Sequence, residues 1–93
     1  MANQELSNSW AITLRHLAAS RYYLPESLQD TEVIALWQEI EGFLHHNELG
    51  LALDDLEILG NLVAAPVEYW RELLLAAQNM GSKEYVARFQ SKL

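Results

Sequence analysis

The chain contains no cysteine, which excludes a disulfide, a thiol nucleophile and a Cys-ligated zinc site. It has only two prolines and four scattered glycines, so neither a glycine-rich phosphate loop nor a Gly-x-Ser-x-Gly elbow is present. His-Glu-x-x-His is also absent. No stretch approaches about 18 apolar residues, so no membrane-spanning segment is expected. The polar start, Met1 to Asn8, has no basic n-region or apolar h-region and does not read as a secretory signal. Cations are scarce as well. Six Lys and Arg stand among thirteen Asp and Glu, too few and too dispersed for a phosphate-binding patch, so direct binding of nucleic acid is not expected.

Ninety-three residues, 51% of them hydrophobic, are read as one helical domain over residues 1–93. A chain of that size buries somewhat over ~60% of its unfolded surface, enough for one core without covalent staples. Its charge is unevenly placed. Residues 30–61 hold Asp30, Glu32, Glu39, Glu41, Glu48, Asp54, Asp55 and Glu57 and no Lys or Arg. Residues 1–29 are neutral, and residues 62–93 come to +1. An acidic band of this kind creates a directional field that draws basic partners and repels nucleic acid.

Apolar residues recur with helical spacing throughout. Asn8 or Ser9 is placed to cap a first helix reaching about Tyr22, with Trp10, Leu14, Leu17 and Ala18 on one face and Pro25 ending it. Asp30 or Thr31 caps a second helix, with Glu32 in its first turn. Its inward stripe is Val33, Trp37, Ile40 and Leu44, widened by Ile34 and Phe43. Gly42 either admits a close backbone or is simply tolerated there. Asn47 is suited to stop this helix and start a third, Glu48 to about Leu59, which buries Leu49, Ala52, Leu53, Leu56 and Leu59 and stops at Gly60-Asn61. Pro66 fits the first turn of a fourth helix carrying Val67, Trp70, Leu73, Leu74 and Ala77. Gly81 closes it. Ser82 caps a short fifth helix with an apolar edge of Tyr85, Val86, Phe89 and Leu93. The expected fold is all-α: a single small antiparallel bundle of four to five helices joined by tight turns.

Residues that could carry chemistry are sparse, and no catalytic, cofactor-binding or metal-ligating residue is assigned. His45 and His46 with Glu41 and Glu48 form the one cluster worth weighing for a metal. Two suitable ligands on a helix face fall short of the three that zinc wants, and imidazoles in the last turn of a helix already suit its dipole. His16 is isolated, and its neighbour Arg15 points elsewhere, which argues against a phosphotransfer role. Asp54 and Asp55 diverge by ~100° on a helix and do not share a reacting atom. Trp10, Trp37 and Trp70 occupy core-type positions rather than forming stacking platforms.

The third helix carries the sharper signal. If its leucines face the core, Glu48, Leu51, Asp54, Asp55 and Ile58 lie opposite, two apolar residues framed by carboxylates. The alternative is that Leu51 and Ile58 are themselves buried among neighbouring helices. With Glu39 and Glu41 of the second helix, these residues outline a partner-binding face of Glu39, Glu41, Glu48, Leu51, Asp54, Asp55 and Ile58.

The run from His45 through Asn47-Glu48-Leu49-Gly50-Leu51-Ala52-Leu53 to Leu56 resembles the signature of the Maf-type immunity (MafI) family, with Leu49 where the family's usual aromatic stands. The resemblance spans about a dozen residues at the helix turn, and the family motif at Asn47, Glu48 and Ala52 is suited to shaping that turn. It implies a cytoplasmic bacterial immunity protein, not an enzyme. Such a protein binds and neutralises the C-terminal domain of a polymorphic or contact-dependent growth-inhibition toxin, often a ribonuclease of the EndoU-like kind. The charge pattern is compatible, because a nuclease cleft for RNA is basic and an acidic band can occlude it. An exosite on the toxin is the other mode of binding. The rival expectation is an acidic helical adaptor or regulatory module for another basic protein. Oligomeric state is not legible.

Overall fold

A computed structural model describes the backbone of residues 2–24 and 31–93, with side chains described from residue 11 onward in those spans. The described residues form helices α1 (Ala2–Ser20), α2 (Thr31–His45), α3 (Leu49–Leu62), α4 (Val67–Met80) and α5 (Lys83–Gln90), with a 3-10 turn at Arg21–Tyr23 and no strand among them. The fold is all-α, as the apolar spacing implies. The chain divides into two compact units. One comprises Met1–Tyr23 with Pro66–Leu93, and the other comprises Leu24–Ala65.

In the first unit α4 is the central element, packing against α1 and against α5. Thr13 pairs with Asn79 and His16 with Glu72, so later positions on α1 meet earlier ones on α4, and the two helices run antiparallel. The two-sided packing explains why α4 buries more than one stripe: Tyr69, Trp70, Leu73, Leu74, Ala76 and Ala77 are all enclosed. Tyr69 and Ala76 lie beyond the single face legible in the sequence. Val67, expected in that face, is exposed at the first position of the helix. Burial pushes the Tyr69 hydroxyl pKa far up, so the group stays neutral.

Helix α1 departs from expectation at both ends. It begins at Ala2 rather than after an Asn8 or Ser9 cap, because Gln, Glu and Leu in its first turns are good helix formers even without an apolar stripe. It gives way to the 3-10 turn after Ser20. Among its described side chains Thr13, Leu17 and Ser20 are enclosed, whereas Ala18 is exposed and Leu14 half-buried. Polar side chains tolerate this burial because they are hydrogen-bonded. Thr13 Oγ1 accepts from Asn79 Nδ2 at 2.7 Å, and Ser20 Oγ donates to the Leu17 carbonyl at 2.6 Å. The expected Pro25 stop and Asp30 cap, and the Trp10 side chain, lie outside the described residues.

Helix α5 follows its sequence signals. Gly81 adopts φ +73°, and the Gly81 and Ser82 amides bond back to the carbonyls of Gln78 and Ala77, a Schellman closure of α4. Ser82 Oγ accepts from the Tyr85 amide at 3.5 Å. Phe89 is fully enclosed, with its ring centroid 6.1 Å from Trp70 and 5.9 Å from Tyr85. Leu93 lies past the last helical turn and is exposed, not part of an apolar edge.

The second unit is the α2–α3 hairpin. Asn47 takes φ +58°. The Asn47 amide reaches the Leu44 carbonyl, and the Glu48 amide reaches the Phe43 carbonyl at 2.8 Å, which is again a Schellman closure. Asn47 therefore stops α2 as expected, but the cap of α3 is Glu48, with no side-chain hydrogen bond. Helix α3 buries Leu49, Ala52, Leu53, Leu56 and Leu59 as the spacing requires. It does not stop at Gly60-Asn61. Gly60 is buried inside the helix, which runs to Leu62 and is closed by Ala64 at φ +50°, the Ala65 amide bonding the Gly60 carbonyl at 2.9 Å. On α2, Val33 and Ile40 are buried, Trp37, Phe43 and Leu44 are half-buried, and Ile34 is exposed. Trp37 is held at the water boundary because its Nε1 donates to Glu41 Oε1 one turn on, at 2.8 Å. A Cβ on Gly42 would meet nothing within 4 Å, so no close backbone explains that glycine.

Candidate functional site

The two units separate the charge. Leu24–Ala65 contains nine carboxylates and no Lys or Arg, whereas all six Lys and Arg lie in the other unit beside four carboxylates. The seven residues singled out by the sequence all fall in the acidic unit, but not on one uniform surface.

Glu39 and Glu41 are exposed on α2, and Glu48 is exposed at the cap of α3. Glu41 is engaged by the Trp37 indole. Leu51 and Ile58 are 48% and 49% exposed. They are not wedged among neighbouring helices, which leaves the outward disposition. Leu62, missed by the sequence because the helix was expected to stop before it, is 50% exposed. At 3.6 residues per turn, Leu51, Ile58 and Leu62 fall within about 40° of one another, with Asp54 beside them. An apolar ridge with a carboxylate on its flank thus runs the length of α3.

Asp55 stands on the other flank, where α3 meets α2. Glu39 lies within hydrogen-bonding reach of its carboxyl group, and Asp55 Oδ2 is enclosed without a hydrogen-bond partner among the described residues. The Asp55 pKa is raised, first by desolvation, then by repulsion from and hydrogen bonding with Glu39, and last by the charge on Asp54. Adjacent Asp54 and Asp55 do diverge, as helix geometry requires, but the hairpin gives Asp55 a carboxylate neighbour from α2. That register has no local sequence signal.

The histidines form no shared site. His46 Nδ1 donates to the Gly42 carbonyl at 2.9 Å and closes the end of α2, while the His45 and His46 rings meet edge to face. His16 Nδ1 donates to Glu72 Oε2 at 2.8 Å in the other unit. Among the described residues no three His, Cys, Asp or Glu side chains converge to hold a metal ion. No described helix is long and apolar enough to cross a membrane. Comparison of the chain with protein-family models, with curated proteins and with solved structures returned no match.

Proposed function

We propose that this chain is a bacterial immunity protein of the Maf type, acting in the cytoplasm by occluding the basic cleft of a cognate toxin domain, a ribonuclease in the favoured case. The observation that supports this most directly is the outward face of α3. Leu51 and Ile58 are exposed beside Asp54 and Asp55, in a unit with no cation of its own. Desolvated apolar residues supply lifetime to such an interface, and surrounding charge supplies encounter rate. The motif at the α2–α3 turn points the same way. Its Asn47 has a structural part, the left-handed stop of α2, rather than a toxin contact of its own.

Complementary charge raises association rates by about 10- to 1,000-fold at low ionic strength, and salt removes that gain. Fast capture suits an inhibitor whose target destroys RNA on arrival. The test is co-expression with the toxin domain encoded beside this gene, scored by growth. Rescue is expected. Asp54→Lys with Asp55→Lys should slow toxin capture at low salt while far-UV circular dichroism stays helical. Equal rates for wild type and variant at low and high salt would remove this face from the interface. Failure of wild type to rescue would leave the adaptor for another basic protein as the better account.

A further inference from the structure

We infer that the docking seat is the α3 ridge of Leu51, Ile58 and Leu62, and that its occupant is an amphipathic, cationic helical segment of the partner protein. This deepens the proposed function and rests on its assignment of the α3 face. The three side chains are each about half exposed and lie on one arc of the helix, whereas Leu49, Ala52, Leu53, Leu56 and Leu59 are spent on the opposite side. From Leu51 to Leu62 the ridge rises about 16 Å, three helical turns. Ridges at this spacing match the apolar positions of a second helix laid along them.

Charge selects the occupant. Asp54 and Asp55 lie on the two flanks of the ridge, and Glu39 adds to the Asp55 side. A partner helix therefore needs Lys or Arg on both sides of its own apolar stripe. A second copy of this ridge would set Asp54 and Asp55 against their own like in a unit with no Lys or Arg, and like charges across an interface disfavour it. Glu41 and Glu48 belong to the turn end of the hairpin, one held by Trp37 and the other at the α3 cap, so their part is steering rather than seating. The seven residues named from the sequence thus divide by role, and Leu62 joins the seat.

The probe is a synthetic amphipathic peptide of about four turns with a Leu stripe flanked by Lys and Arg. Its controls are a scrambled peptide of the same composition and a Glu-flanked counterpart, all titrated into the full-length labelled protein by NMR. Amide shifts centred on residues 51–62 are expected with the cationic amphipathic peptide, with at least tenfold weaker binding of both controls. Leu51→Ser with Ile58→Ser and Leu62→Ser should weaken the cationic peptide at least tenfold without loss of helicity, while Glu68→Gln with Glu84→Gln, exposed carboxylates of the other unit, should change affinity less than threefold. Shifts centred elsewhere, equal binding of the scrambled peptide, or an unaffected triple variant would overturn the inference. Self-association of wild type abolished by the triple variant would do so too, by showing that a second copy is the occupant. Growth rescue is a separate readout. Rescue by wild type and triple variant alike sinks the seat and spares the immunity function, whereas peptide docking on α3 without rescue does the reverse.

Discussion

Replacing glycine with alanine at two positions should move stability in opposite directions, although the atoms added are identical. Gly42 lies within α2, is exposed, and offers open space to a Cβ. Alanine is favoured over glycine in a helix interior by about 0.8–1 kcal/mol, so Gly42→Ala should stabilise the chain by roughly that amount. Gly81 also offers open space, but its φ is +73°. A left-handed residue with a Cβ costs about 1–2 kcal/mol, and a less flexible unfolded chain offsets only about 0.4–1 kcal/mol. Gly81→Ala should therefore destabilise by about 1 kcal/mol. Ala64 supplies the mirror experiment, since it already holds φ +50° and is exposed. Ala64→Gly should stabilise by about 1 kcal/mol, the left-handed relief less the entropy of a freer unfolded chain. Urea titrations followed by far-UV circular dichroism would resolve all three. If Gly42→Ala lost stability, some group must lie against that helix face, and the account of α2 given above would be wrong. If Gly81→Ala were neutral, the backbone at the end of α4 would not need its left-handed turn.

Asp55→Asn should stabilise the chain at neutral pH. The Asp55 pKa is raised above the unfolded value of 3.8, so the native state binds more protons than the unfolded chain between the two values, and stability falls as pH rises through that window. The advantage of the Asn variant should close on acidification below about pH 4, and equal unfolding midpoints at neutral pH would contradict the crowding by Glu39 and Asp54. Phe89→Ala should cost about 3–5 kcal/mol, because the ring is fully enclosed beside Trp70 and Tyr85. Trp37→Ala, at a half-buried position, should stay below about 3 kcal/mol, and equal midpoints for these two variants would show that their burial is misjudged. Ser82→Ala should cost about 0.5 kcal/mol, the low end for a cap, since the Ser82 bond to the Tyr85 amide is long, and a loss above about 2 kcal/mol would mean that the hydroxyl holds more than the cap.

Much of this architecture was legible because particular residues carry local physics. Asn47 and Gly81 tolerate left-handed backbone, Ser82 offers a short acceptor, and Pro66 stands immediately before α4. The misses share a different cause. Ala64 holds a left-handed turn without the residue type that announces one, so α3 outran its expected stop and Leu62 was overlooked. Tyr69 and Ala76 are buried because α4 has neighbours on two sides, and a single-stripe template does not encode two neighbours. Thr13 and Ser20 are buried because their hydroxyls find partners, which hydropathy alone does not foresee. At the candidate site, individual carboxylates were visible, but the approach of Glu39 to Asp55 depends on how α2 registers against α3.

The order of elements has a consequence for exchange between related chains. Helices α1, α4 and α5 form one contact set although residues 24–65 intervene, and Thr13 reaches Asn79 across 66 positions of sequence. The carboxylate-bearing hairpin is thus an excursion inserted between two parts of a discontinuous scaffold. Because α1 and α4 run antiparallel and the turn after α1 touches α4, the chain leaves and re-enters that scaffold at neighbouring points. Recombination or grafting with breakpoints near Leu24 and Ala65 would exchange the carboxylate-rich hairpin and retain the contacts among α1, α4 and α5.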